Sequence, residues 1–201
     1  MIEFKDSSFF STEQKLYTII SHELEQFQMY QSLRLRDYVA LRSEFLKGQP
    51  NSQLSIDYLK AFSPKIAVFA GSFNPFHKGH YNVLQKAEKI FDKVIIAFGQ
   101  NPEKEMPIAK APNSIRNRQL ENYDGLLTDF VSSLEHDVVV IRGLRNSTDF
   151  NYEQNQYRYI QELMPDIKIV NIFCDKEFEH ISSSGIRTLE KFNKHQNYLL
   201  A

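Results

Sequence analysis

A chain of 201 residues, 42% hydrophobic and 24% charged, has room for one cored domain plus an appendage and an ordinary globular composition. A formal net charge of -1 removes any global electrostatic argument for nucleic acid or an acidic membrane as partner, so an anion site must be local. The one cysteine, Cys174, excludes an intrachain disulfide and a zinc site of the thiolate kind. No apolar run approaches the roughly 18 residues of a membrane span, and the first residues carry Glu3, Lys5 and Asp6 instead of a leader's apolar core. The reading is a cytoplasmic protein with no membrane or nucleic-acid partner and no metal held by protein ligands alone.

In chain order, residues 1–62 read as a helical extension. Neither proline nor glycine occurs from Ser11 to Lys47, and Leu16, Ile19, Ile20, Leu24 and Phe27 recur at helical steps, as do Leu35, Tyr38, Val39, Phe45 and Leu46. Ser63-Pro64 marks a boundary, and residues 63–201 form the second domain. Strands are expected over 65–70, 93–98, 137–141 and 167–173, with helices over 79–91, 126–134, 149–163 and 183–193. Residues 100–113 hold three prolines and read as a loop, and 114–122 stay ambiguous. Apolar strands alternating with helices imply an α/β fold, a Rossmann-like parallel sheet with helices on both faces. Cys174 closes an apolar run and reads as a buried structural thiol.

Three segments follow strand ends, where ligands of open parallel sheets bind. In Gly71-Ser72-Phe73-Asn74-Pro75-Phe76-His77-Lys78-Gly79-His80, a turn opens a helix whose N–H groups suit phosphate. His77 and His80 share one face there, and Gly79 between them would let a ligand approach the backbone. Arg142-Gly143-Leu144-Arg145, with Asp149 to Glu153 beyond, offers forked donors for phosphate oxygens or, as the bland reading, a salt-bridged helix start. Ser182-Ser183-Ser184 precedes the closing helix as an anion-accepting start or a plain cap.

The first segment resembles the signature of the HxGH nucleotidyltransferases. With Arg142 to Glu153 the pattern is similar to the phosphopantetheine adenylyltransferases, and the resemblance spans residues 65 to about 192. It implies transfer of AMP from ATP to the phosphate of 4′-phosphopantetheine, giving dephospho-CoA and pyrophosphate, with Mg2+ accompanying ATP. It implies His80, Lys104, Arg145 and Ser72 as catalytic residues. ATP would meet Gly71, Ser72, His77, His80, Gly143, Arg145, Glu153 and Ser182–Ser184, and the acceptor would meet Ser72, Lys104 and Arg142. It also implies a homo-oligomer.

The pattern departs from that family in places. Family members usually place a helix and another strand between an Arg like Arg118 and their Gly-Leu-Leu, here Gly125-Leu126-Leu127, and the two are almost contiguous in this chain. Gln156, Tyr159 and Ile160 stand where Leu, Met and Asn are common, Thr188 replaces a glutamate, and the family's final segment is absent. The sequence therefore leaves two alternatives: transfer to another phosphorylated acceptor such as nicotinamide mononucleotide, with AMP or CMP as the group moved, or a non-catalytic nucleotide-binding protein.

Overall fold

A computed structural model of the chain describes residues 65–100 and 111–200, which lie in the second of two units, Lys65–Ala201. The helical extension expected over residues 1–62 and the expected nucleotide-site Lys104 lie outside the described residues.

Five parallel strands form the sheet: β1 (Ile66–Gly71), β2 (Lys93–Gln100), β3 (Leu120–Asp124), β4 (Val138–Leu144) and β5 (Lys168–Phe173), in the order β3-β2-β1-β4-β5. The connecting helices are α1 (Lys78–Ala87), α2 (Leu127–Ser133), α3 (Ser147–Leu163) and α4 (Ser183–Glu190). The central strands β1 and β2 are buried almost throughout, which is why they read as continuous apolar runs. Strand order reverses at β1, so β1 and β4 lie side by side while their following segments diverge. The crevice at their carboxyl ends is the topological switch point.

Side chains alternate between the faces of a strand, and β4 shows what each face carries. Gly143 approaches Val83 of α1 so closely that a Cβ there would sit 3.3 Å from the valine. Its neighbour Arg142 points to the opposite face and meets Glu153 of α3. Helices α1 and α3 therefore cover opposite faces. Helix α1 turns Gly79, Val83, Leu84 and Ala87 inward, toward a core that includes Phe69, Ile96, Phe98 and Ile141. Among the described residues no helix is long and apolar enough to cross a membrane.

The structure corrects the sequence reading at several boundaries, three of which bear on the site and its support. Strand β4 runs on through Arg142, Gly143 and Leu144, so the first arginine of that segment lies within the strand and not after it. Helix α1 stops at Ala87 instead of Phe91, and the chain turns through Glu88 to Ile90 into β2. A parallel strand, β3, begins within the ambiguous stretch and runs two residues past it, paired with β2 from Ile96↔Leu120 to Gln100↔Asp124. Among the described residues before β3 there is one 3-10 turn, Asn113–Ile115, and no helix separates Arg118 from the strand. Arg118 anchors that shortened passage: its Nε donates to Glu88 Oε1 at 2.6 Å and its Nη2 to Oε2 at 3.1 Å, with both side chains buried. Tyr81 of α1 lies under the guanidinium at 5.8 Å.

Candidate active site

The turn from β1 into α1 is built around Phe73. Its φ of 43° is left-handed, a conformation that costs a non-glycine residue about 1 kcal/mol. Aromatic packing offsets it: the Phe73 ring lies within 4.9–5.3 Å, centroid to centroid, of Phe69, Phe76, His80 and Phe98. The phenylalanine rings form the floor on which His80 sits.

His77 is the N-cap of α1 and His80 its third residue, and the two cap the helix reciprocally. The His80 N–H donates to His77 Nδ1 at 3.4 Å, and the His77 N–H donates to His80 Nδ1 at 3.3 Å. Both Nδ1 atoms accept, so each neutral ring carries its proton on Nε2. The rings stack at 3.6 Å and 20°. Burial, then the Arg145 charge, lowers the His77 pKa from 6.5 to about 4. Burial first, then His77 and Arg145, holds His80 well below the ordinary value. At neutral pH the pair is therefore two uncharged rings with Nε2–H groups as donors. Gly79 serves this pair in a way the sequence reading did not foresee. A Cβ there would lie 3.1–3.2 Å from the His77 ring, so the glycine makes room for the capping imidazole as well as standing at the cavity wall.

The β4 end supplies the arginines, and each already grips a carboxylate of α3. Arg142 donates through Nε and Nη2 to both oxygens of Glu153, at 2.6 and 2.8 Å, and through Nη1 to the Ala70 carbonyl at 3.1 Å. Burial opposes the Arg142 charge, but the Glu153 pair outweighs it and the pKa is raised. Arg145 donates through Nε and Nη2 to Asp149 at 2.7 and 2.8 Å, and its backbone N–H adds a third bond at 3.0 Å. Asn146 caps α3 by accepting from the Asp149 N–H. The salt-bridged helix start and the forked phosphate donor are thus one arrangement. The Asp149 carboxylate holds one edge of the Arg145 guanidinium and leaves its remaining N–H groups for a ligand, whereas Nε, Nη1 and Nη2 of Arg142 are all engaged by Glu153 and Ala70.

After β5, Ser182 caps α4 by accepting from the Gly185 N–H at 3.1 Å. Ser183 Oγ donates to the Pro75 carbonyl at 3.0 Å, and Arg187 donates to the Asn74 carbonyl. The serine segment is thereby fastened to the turn that carries the histidines.

These parts meet in one cavity of about 530 Å³. Of the residues singled out from the sequence, Ser72, His77, Gly79, His80, Gly143, Arg145, Glu153 and Ser182–Ser184 line it. Arg142 stands behind its partner Glu153, and Gly71 ends β1 beneath the turn; neither lines the cavity. Asp149, Tyr152, Cys174 and Arg187 line it too and were not anticipated as site residues. Arg187 had a local signal, a basic residue one turn into the helix that the serines open. Cys174 is buried, as expected, and burial, followed by the Glu179 charge, raises its pKa, yet it also reaches the cavity wall.

A parallel sheet whose switch point gathers neutral imidazoles, paired arginines and a serine-capped helix start defines a nucleotidyltransferase. Residues 68–189 match the cytidylyltransferase-like family, and the chain belongs to it. Within that class the chain is similar to phosphopantetheine adenylyltransferases. The one from Mycoplasma capricolum is 34% identical over 139 residues, covering 65% of this chain and 99% of the relative. Those of Clostridium tetani (32% over 136 residues, 63% and 84% covered) and Streptococcus pneumoniae (35% over 142 residues, 66% and 87% covered) are similar to the same degree.

Proposed function

We propose that the chain moves AMP from ATP onto the phosphate of 4′-phosphopantetheine, releasing pyrophosphate and dephospho-CoA. The observation that carries this reading is the cavity at the β1–β4 switch point, with its neutral histidine pair, arginines and serine helix start, in a chain about a third identical to phosphopantetheine adenylyltransferases.

In this reading a phosphate oxygen of the acceptor attacks the α-phosphorus of ATP, a P–O bond forms there, and the bond to the pyrophosphate oxygen breaks. No protein group becomes covalently attached, so the residues align the reactants and stabilise charge on the phosphoryl oxygens. His80 donates its Nε2–H to an α-phosphoryl oxygen, and His77 holds that ring. Ser72 and Lys104 take the acceptor phosphate and the α-phosphate. Arg145 and Ser182–Ser184, at the positive end of α4, take the β- and γ-phosphates. Glu153 stands on the nucleotide side, and Arg142 behind it holds that carboxylate in place instead of meeting the acceptor itself. Mg2+ would accompany ATP and offset the polyphosphate charge; among the described residues no group of three or more His, Cys, Asp or Glu could hold a metal ion. The reaction belongs to the cytoplasm, where ATP and the acceptor are found.

Pyrophosphate release from MgATP, measured against a panel of phosphorylated acceptors, tests the proposal. Release that depends on 4′-phosphopantetheine is expected. Release with nicotinamide mononucleotide alone would reassign the acceptor, and ATP binding without release under any acceptor would end the catalytic reading.

A further inference from the structure

The His77–His80 pair is closed from outside by residues 195–200. His77, at φ -137° and ψ 174°, has the extended backbone of an N-cap, and this lets it pair like a strand residue. It does so with Leu199, in an isolated antiparallel bridge. One residue on, the Lys78 ammonium donates to the Asn197 carbonyl at 2.6 Å. Leu200 then packs against the core cluster that contains Phe73 and Phe76, the rings beneath His80. The 3-10 turn Gln196–Tyr198 shapes this return, with the Tyr198 N–H donating to the His195 carbonyl and the Leu199 N–H to the Gln196 carbonyl. Tyr198 also stands edge-on to His180 at 5.9 Å.

Two facts give this segment a meaning beyond covering apolar surface. None of residues 195–200 lines the cavity, so the segment does not act by touching substrate. Yet it pairs with the very residue whose ring stacks on His80 and whose Nδ1 accepts the His80 N–H. His77 is only 3% exposed, and the reciprocal cap is long on both sides, at 3.3 and 3.4 Å. Bonds of that length do not by themselves hold two rings in register. A fixed His77 backbone does, because the ring positions follow from it.

We propose that residues 195–200 form a positioning strap. By pairing with His77 and fixing Lys78, the strap seats the His77 ring against His80, and so sets the orientation and the Nε2–H tautomer of the imidazole that meets the α-phosphoryl group. The inference rests on the adenylyl-transfer reading of the site, since it assigns the strap to the donor of that reaction. Its residues are positioning residues and not catalytic ones.

The test compares the full chain with a chain ending at Lys194. Histidine ring tautomers are read by long-range proton–nitrogen NMR, with His80 assigned through His80→Gln. Turnover and the KM for MgATP are read by pyrophosphate release. The full chain should show one Nε2–H form of His80. The shortened chain should show a mixture, with kcat lower by about 10-fold and the KM for MgATP within about 3-fold, as expected when a donor is misplaced while nucleotide contacts survive. A shortened chain that melts cooperatively yet keeps both the kcat and the His80 tautomer of the full chain overturns the proposal. If the shortened chain does not fold, Lys78→Met in the full chain decides the matter. It removes the bond to Asn197, and should lower kcat in the same direction and move the His80 ring signals; unchanged signals and kcat would overturn the strap. If the full chain releases no pyrophosphate with 4′-phosphopantetheine, the functional reading fails separately, and the tautomer comparison still reports whether the strap sets the ring.

Discussion

On the β1 side of the cavity, His80 lies against the Phe73 and Phe76 rings and His77 stacks on His80, and among the described residues neither imidazole pairs with a carboxylate. On the β4 side, Arg142 and Arg145 each grip a carboxylate of α3 with two N–H bonds. Desolvation keeps the first pair neutral, and ion pairing keeps the second charged. The contrast shows two routes to preorganisation in one site. Neutral donors can be set by packing and a helix cap, because an uncharged ring tolerates burial. Permanent cations need partners, because an unpaired guanidinium near the core would be strongly destabilising. The backing differs accordingly: no residue of α3 is buried, whereas α1 buries a whole face.

Four substitutions or conditions press on that difference. Removing the neutral donor has the largest effect: His80→Ala should lower turnover at least about 100-fold, the size of one lost transition-state hydrogen bond. Steady-state pyrophosphate release at near-wild-type rate would remove His80 from its role. Next comes the charged side. Glu153→Ala leaves Arg142 without its carboxylate in a mostly enclosed place, and should lower stability by roughly 3 kcal/mol in urea unfolding. A change below about 1 kcal/mol would mean that water replaces the carboxylate there.

The third condition is acid, which acts on the histidine side. The folded pKa of His77, about 4, lies below its ordinary 6.5, so the unfolded chain binds the extra proton first. This contribution is fully present above about pH 6.5 and is lost as pH falls toward about 4. Between pH 7 and pH 5 it amounts to about 2 kcal/mol. His77→Asn keeps a capping oxygen and has nothing to titrate, so its urea midpoint should fall less over the same interval. Equal falls in both proteins would show that the His77 ring is not desolvated. The smallest effect is that of Asp149→Asn. The Arg145–Asp149 pair is one helical turn apart and about a third exposed on the arginine side, so water screens it and stability should change by less than about 1 kcal/mol. The KM for MgATP should nevertheless rise a few-fold, because Arg145 loses the carboxylate that orients its fork. An unchanged KM would take Arg145 out of the polyphosphate site.

Much of this was legible wherever the information is local. His77 and His80 stand three residues apart, and that spacing alone puts them on one face of a helix start; the reciprocal cap follows from it. Arg145 and Asp149 are likewise one turn apart. The buried strands β1 and β2 announced themselves as apolar runs, because a parallel strand covered on both faces has no polar positions to show. Strand β3 did not. Leu120-Glu121-Asn122-Tyr123-Asp124 lacks such a run because it lies at the sheet's edge with none of its residues buried, and only pairing to β2 makes it a strand.

By its own order of residues, then, the chain determined the helix starts, the central strands, the glycine and serine turns, and the chemical groups available at the strand ends. Each of these depends on neighbours within a turn or two of backbone. Tertiary structure alone decided that Arg142 is held by Glu153 across from β4, that Arg187 and Ser183 fasten the serine helix to the Asn74–Pro75 turn, and that Asn197 and Leu199 reach Lys78 and His77 from more than a hundred residues away. The physical reason is that such contacts depend on how faces and strand ends meet when the sheet closes. Spacing along the chain carries no record of that meeting.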